Sequence, residues 1–280
     1  MNAEVEGIRQ ELLDAIEKDE LVLPTLPEVA LQVREVAQDQ NSNVSSLAAV
    51  IGRDAAISAR IIKVANSPLM RRSERKNENL KMALMSLGME YTANLATGLA
   101  MEQMFQATTD AIDKRLRETW SRSTEVAGIC QVFSKGRGNL RPDQATLAGL
   151  THKIGALPIL IYAESSRSLL ANTKALDELI ESLHPEVGQK ILQRWDFSEE
   201  LACVPVEHLN FSRQVADCDY ADVVTVAVLE SYSGSEHPLA TVEYSEVTAF
   251  GRLGIAVESQ AIELEDLQDD MQAATDSLKF

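Results

Sequence analysis

Residues 54–67 read DAAISARIIKVANS, and their apolar side chains recur at helical spacing. Ile57, Ile61 and Val64 are three or four residues apart, so one face of a helix would bury all of them. Asp54 stands where an N-cap is expected, and the proline that follows the segment ends it. The stretch therefore predicts a short, buried helix that begins after Asp54.

The same spacing continues in both directions along the chain. Further helical patterns lie at about residues 28–37, 46–51, 91–105, 112–133, 143–155, 184–195 and 222–232, with Ser45 and Ser198 as candidate N-caps. The valines of 223–228 would also suit a buried strand. Because no stretch alternates in the β manner, we predict an all-α fold, a multi-helix bundle with an N-terminal helical subdomain. The predicted core comprises Leu26, Val29, Leu47, Ile51, Ile57, Ile61, Val64, Leu150 and Ile154.

The composition excludes several classes of protein. The chain has 280 residues, 45% of them hydrophobic, and a formal charge of −17. Residues 1–150 carry 18 Lys and Arg against 20 Asp and Glu, whereas residues 151–280 carry 8 against 23. Since a negative field opposes the approach of polyanions, the acidity argues against nucleic acid and anionic membrane as partners.

No apolar run approaches the length that crosses a bilayer, and the acidic N-terminus lacks a secretory signal pattern. Cys130, Cys203 and Cys218 are far apart in the sequence, which is typical of reduced thiols. We therefore expect a cytoplasmic protein without a membrane segment.

We divide the chain into a leader helix (1–20), a main domain (21–232) and a C-terminal helical extension (233–280). In the extension, apolar residues step by three and four among acidic ones: Leu264, Leu267, Met271, Ala274 and Leu278. Such a stripe predicts either a terminal helix packed on its own body or a helix offered to a partner chain.

Two segments near the N-terminus carry a resemblance to a known family. Residues 23–30 read LPTLPEVA, and residues 51–67 read IGRDAAISARIIKVANS. Together they resemble the opening of the HDOD domain, a bacterial, all-helical output domain related to HD-type metal-dependent phosphohydrolases, although Ala55 stands where that family usually has proline. Further similar segments are MSLG at 85–88, WSRS at 120–123, AGLTHKIG at 148–155 and HPEVG at 184–188. The resemblance covers about residues 21–232 and implies an HD-like bundle there.

The resemblance also implies where a catalytic metal would be held. HD-type enzymes use a histidine on one helix, an adjacent His-Asp pair and a later aspartate. Here Arg122 stands at the first histidine position, and Lys153 replaces the aspartate beside His152. Because cationic side chains cannot coordinate a cation, we expect no metal, no cofactor and no catalytic residue. The expected function is that of a non-catalytic bacterial signal-transduction or regulatory protein that acts through protein contacts.

Two alternatives stay open. A divergent metal-dependent phosphohydrolase would draw its ligands from the remaining histidines and one late aspartate: His152, His184, His208 and one of Asp217, Asp219 or Asp222. A nucleotide or anion sensor would instead combine Arg122 and Lys153 with the same three histidines in one cationic seam.

One basic loop is a candidate docking site. It contains four cationic residues, Arg71, Arg72, Arg75 and Lys76, and no aromatic residue on which a base could stack. The loop is either simply solvated or a contact for an acidic partner, such as the acidic second half of another copy, and nucleic-acid binding is a minor alternative. We therefore expect a protein partner, whose identity the sequence does not give, and an oligomer is compatible with this pattern.

Overall fold

The computed structural model describes residues 3–18, 23–71, 74–106, 109–137, 139–255 and 260–279. Within these ranges the chain is helical and has no β-strand, as the all-α prediction requires. The α-helices are α1 Ala3–Glu17, α2 Glu28–Gln38, α3 Val44–Ile51, α4 Ala55–Ala65, α5 Leu80–Leu87, α6 Met89–Ala100, α7 Asp110–Ser134, α8 Pro142–Thr151, α9 Ala156–Glu164, α10 Arg167–Ala171, α11 Thr173–Arg194, α12 Glu199–Ala202, α13 Val204–Glu207, α14 Tyr220–Tyr232, α15 Thr248–Arg252 and α16 Gln260–Leu278. Three short 3₁₀ helices lie at Met101–Met104, Pro238–Thr241 and Tyr244–Glu246.

One apolar core extends through the described residues, from Leu12 in α1 to Leu278 in α16. The long helix α7 lies at its centre and packs against α8, α14 and α16. The predicted core residues that are buried are Leu26, Leu47, Ile51, Ile57, Ile61, Val64, Leu150 and Ile154. Val29 is only partly buried and packs against this core. The division into 1–20, 21–232 and 233–280 stays a prediction.

The helices α3, α4 and α5 begin at side-chain caps, which satisfy backbone N–H groups that have no partner within the helix. Asp54 caps α4, because its Oδ1 accepts hydrogen bonds from the N–H groups of Ala56 and Ile57 at 2.9 and 3.0 Å. The prediction of Ser45 as the cap of α3 is wrong. Asn43 is the cap, and Ser45 lies inside the helix with its N–H donating to Asn43 Oδ1.

The helix predicted to begin at His184 begins eleven residues earlier. α11 starts at Thr173, where Asn172 caps it, and continues through Pro185. A proline removes one intrahelical donor, but apolar residues before it bury a continuous face and carry the helix across the defect. They are Leu176, Leu179, Ile180 and Leu183. Ser198 does precede α12, yet its side chain makes no capping bond, and the valines of 223–228 lie in the helix α14.

The C-terminal helix packs on the body of its own chain. Met271, Ala274 and Leu278 are buried, and α16 lies against α7 and α4. The side chain of Leu264 lies outside the described residues. The contact with α7 is close: a Cβ added to Gly128 would stand 2.7 Å from the Cα of Thr275.

One helical stretch, Pro142–Glu164, is long and apolar enough by composition to cross a membrane. In the structure 83% of its most apolar window is buried inside the protein. The stretch is also interrupted by the turn between α8 and α9. These features are those of a core segment.

Candidate functional site

Two of the residues that stand at the HD positions line one cleft, which lies between α7, α9, α11 and the segment that follows α14. The cleft has a volume of about 860 Å³. These two residues are Arg122 and Lys153. The cleft is also lined by Glu181, Tyr232 and His237, which sequence reasoning did not identify.

Lys153 forms an ion pair with a carboxylate from the neighbouring helix. Its Nζ lies 2.6 Å from Oε1 of Glu181, and the other oxygen of that carboxylate lies 3.6 Å from Nε2 of His184. Burial opposes ionisation of Glu181, but the His184 side chain and the charge of Lys153 outweigh it and hold the pKa of this carboxyl well below its usual range. Glu181 is therefore an ionised carboxylate whose charge is already neutralised by the ammonium group of Lys153.

Arg122 is held by three partners on the opposite wall of the cleft. Its Nη1 donates to the carbonyl oxygen of Ser231 at 2.5 Å and to Oε2 of Glu125 at 3.0 Å. Its guanidinium carbon lies 4.5 Å from the centre of the Tyr232 ring. The other partner of Tyr232 is His237, with ring centres 3.8 Å apart and a 17° angle between the planes.

The three histidines of the predicted seam form a buried cluster. The rings of His152 and His208 are 5.3 Å apart, and those of His184 and His208 are 6.1 Å apart. The Nδ1–H groups of His152 and His208 donate to the carbonyls of Gly149 and Val204 at 2.7 and 2.9 Å. Nδ1 of His184 is buried and has no hydrogen-bond partner among the described residues.

Burial decides the charge of this cluster. It lowers the pKa of His152 to about 3, and it also lowers the pKa of His184 and of His208. His184 also disfavours protonation of His152, and both of these rings disfavour protonation of His208. The imidazoles are therefore neutral at physiological pH and add no positive charge to the cleft.

The late aspartates are engaged elsewhere. Asp219 caps α14 and accepts two hydrogen bonds from Arg213 at 2.6 and 2.9 Å. Asp222 is fully buried and binds both Arg213 and Arg252, with shortest distances of 3.0 and 2.7 Å. Asp217 is exposed. Two of the three candidates therefore belong to a structural arginine network.

The residues present do not fit the divalent metal that an HD-type site would hold. The carboxylate nearest the histidines is neutralised by Lys153, and the buried late aspartate is shared by two guanidinium groups. Among the described residues no group of three His, Cys, Asp or Glu side chains is arranged to hold a metal ion. The carboxylates that could have served as metal ligands therefore form ion pairs with lysine and arginine instead.

The predicted cationic seam is divided between two places. Arg122 and Lys153 share the open cleft, whereas the histidine rings lie in the protein interior. Both cations, and Arg115 beside them, are paired with Glu125, Glu181 and Asp177 respectively. An anion would have to displace these carboxylates, so anion sensing stays a prediction that the geometry does not favour.

None of the described residues of the basic loop lines this cleft. Arg71, Arg75 and Lys76 are exposed, and Arg72 lies outside the described residues. The base of the loop is closed by Asn66, which accepts from the N–H of Asn77 at 2.7 Å and donates to its carbonyl oxygen at 2.9 Å. The loop is presented outward, and its role as a docking site stays a prediction.

Comparison with known proteins agrees with this fold. A sequence model described as "HDOD domain" matches residues 23–210. A crystal structure from Shewanella amazonensis SB2B, named a "putative metal-dependent phosphohydrolase", is 31% identical with a TM-score of 0.87, covering 98% of this chain and 99% of that one. A "putative signal transduction protein" from Marinobacter aquaeolei VT8 shares the fold at 20% identity and a TM-score of 0.61, over 99% of this chain and 66% of that one.

One curated relative also matches. It is an uncharacterized protein of Treponema pallidum (strain Nichols), which is 22% identical over 191 residues. The match covers 63% of this chain and 36% of that protein. This chain therefore corresponds to only part of the length of its curated relative.

Proposed function

This chain belongs to the HDOD domain family, and from that premise we propose that it is a non-catalytic signal-transduction protein, which regulates other proteins by contact. The observation that carries the proposal is the ion pair between Lys153 and Glu181 at 2.6 Å. It stands next to His152, at the place where an HD-type enzyme needs a free carboxylate.

Catalysis by an HD-type site depends on a divalent metal that activates water and binds the phosphate. In this chain the side chains at two ligand positions, Arg122 and Lys153, are cations, and each has its own carboxylate partner. A dication brought to this place would meet positive charge and would have to break the Lys153–Glu181 pair. The helices therefore pack into an HD-like bundle, but the side chains at positions 122 and 153 are not metal ligands.

Phosphohydrolase activity is the competing function, because the relative with 31% identity carries that name. The test is metal analysis of the purified chain together with hydrolysis of bis(p-nitrophenyl) phosphate in Mn²⁺. We expect less than stoichiometric metal and no turnover above buffer. Tightly bound metal at one per chain, with turnover lost in His152→Ala and kept in a control at an exposed residue outside the cleft, Gln193→Ala, would establish the enzyme instead.

The contact with a partner protein is tested through the basic loop. The full chain is used to capture proteins from an extract of its own organism, and the capture is repeated after Arg71, Arg72, Arg75 and Lys76 are all changed to Gln. A matched control changes four exposed lysines elsewhere: Lys18, Lys81, Lys114 and Lys135. We expect a bound protein that the control retains and the loop variant loses. Equal capture by both variants would remove the loop from the proposal.

A further inference from the structure

The exposed side of α5 is rich in methionine and carries a lysine. Four of the eight methionines of the chain lie within residues 70–89. Met85 is 69% exposed, more than any other large apolar side chain that the structure describes. Lys81 is exposed one helical turn before it, and Met82 is partly exposed beside it. We call these three residues the α5 face, whose flexible and polarisable side chains suit a protein-binding surface.

The charge around the α5 face is opposite to that of the remaining chain. Residues 28–87 carry nine Lys and Arg against six Asp and Glu, whereas all other residues carry 17 against 37. Regions of opposite net charge on two copies attract each other as the copies approach. An acidic surface on a second copy of this chain is therefore a complementary partner for the α5 face.

An acidic groove of about 390 Å³ lies between α7, α14 and α16. Its lining includes two buried apolar side chains, Ile129 and Met271, and two carboxylates, Glu230 and Asp269. We call this surface the α16 groove. It combines an apolar contact for a methionine with negative charge for a lysine. None of the described residues of α5 lines it, so α5 reaches such a groove only in another copy.

Glu230 has no cationic partner among the described residues of this groove. Burial raises its pKa, and no neighbouring charge offsets that effect within the described chain. Glu125, which also lines the groove, is by contrast paired with Arg122 at 3.0 Å. Asp269 is exposed on α16, and Lys279 is the one basic residue of the described lining. An ammonium group that enters the groove would therefore gain Glu230 as its partner.

We propose that this chain associates with a second copy of itself, and that the α5 face of one copy docks into the α16 groove of the other. Lys81 would pair with the carboxylate of Glu230, and Met85 would cover Ile129 and Met271. Because the two surfaces differ, each copy can use both, so pairs, closed rings or chains can form. This association goes beyond the proposed function and does not depend on it, because it needs no other protein.

Sedimentation velocity of the full chain alone tests the association. We expect the mean mass to rise as the concentration increases from about 1 to about 100 μM, the range over which a contact of micromolar affinity forms. We expect about 0.5 M salt to lower the mean mass, because salt screens exposed charges. A chain that sediments as a monomer at every concentration would overturn the proposal and leave the α5 face to a different acidic protein.

Charge reversal on the α5 face separates a specific contact from general repulsion. Lys81→Glu combined with Met85→Glu should raise the apparent dissociation constant at least about tenfold. The matched control, Lys18→Glu combined with Ile161→Glu, makes the same changes after α1 and on α9 and should associate like the parent. All four side chains are exposed, so both variants should fold. An equal weakening in both variants would mean that net charge alone governs association, and the proposal would be wrong.

A mixture of two variants tests which surfaces meet. The groove variant, Glu230→Gln combined with Asp269→Lys, keeps the α5 face, whereas the variant at Lys81 and Met85 keeps the groove. Glu230 and Asp269 are at least partly exposed, so the groove variant should fold. We expect each variant alone to be monomeric where the parent associates, and the equimolar mixture to form a one-to-one complex. A mixture that stays monomeric would contradict docking of the α5 face into the α16 groove.

Discussion

Nζ of Lys153 lies 2.6 Å from Oε1 of Glu181, and the same carboxylate faces Nε2 of His184 at 3.6 Å. An ammonium group, a carboxylate and a neutral imidazole therefore follow one another from the cleft into the interior. In this order the carboxylate is stabilised from both sides, whereas a proton on His184 is opposed by burial and by Lys153. After the larger effects of burial and of the contact between Glu181 and His184, the charge of Lys153 lowers the pKa of both groups further.

Removing that ammonium should shift the titration of both neighbours upward. In Lys153→Met, Glu181 loses a cation and becomes easier to protonate, so its pKa rises. His184 loses a repelling charge, and its pKa rises as well. Titration followed by NMR of the carboxyl and imidazole carbons measures both shifts. Lys190→Met, which removes a lysine paired with Glu186 on the same helix, is the control and should leave both pKa values in place.

The buried histidines predict a loss of stability in mild acid. Folding lowers their pKa values, so the unfolded chain binds more protons than the folded chain below pH 6.5. Their contribution is complete above pH 6.5 and declines as the pH falls through that value toward the folded pKa, which for His152 is about 3. The slope is at most about 1.4 kcal/mol per pH unit for each histidine.

Chemical denaturation from neutral pH down to about pH 5 measures this slope. His152→Asn keeps a donor for the carbonyl of Gly149 but does not titrate, so its unfolding free energy should fall less steeply with acid. His237→Asn removes a less buried histidine outside the cluster and should change the slope less. If the unfolding free energy of His152→Asn fell with acid as steeply as that of the parent, the prediction that His152 is neutral in the folded protein would be wrong.

Substitutions of Asp222 and of Asp217 should change the free energy of unfolding by different amounts. Asp222 is fully buried between Arg213 and Arg252, so Asp222→Asn removes the carboxylate that these two guanidinium groups share. Breaking a buried ion pair of this kind costs about 3 kcal/mol or more. The exposed Asp217 is the matched control, and Asp217→Asn should change the free energy of unfolding by less than about 0.5 kcal/mol. Thermal and urea unfolding distinguish these results, and equal values for the two variants would contradict the network.

The sequence predicts the helices well where apolar spacing is long and regular, and less well where a local signal competes with packing. Pro185 suggested a helix start, but the buried face from Leu176 to Leu183 extends α11 across it. Glu181 was within reach of sequence reasoning, because it lies three residues before His184 and therefore on the same helical face. The stack of Tyr232 on His237 was not, since it depends on how the loop after α14 folds back.

The last prediction concerns the attachment of α16. A methyl group added in Gly128→Ala would lie 2.6 Å from the backbone nitrogen of Thr275 and 2.7 Å from its Cα, and neither atom can move without the helix. We expect a loss of about 2 kcal/mol from this overpacking, with faster amide exchange concentrated in residues 267–279. Gly251→Ala is the control, because nothing lies within 4 Å of the added methyl and its backbone φ is not positive. That variant should be neutral or slightly stabilised, as alanine favours helix over glycine by up to about 1 kcal/mol. Unchanged exchange of α16 in Gly128→Ala would mean that this helix does not depend on close contact with α7.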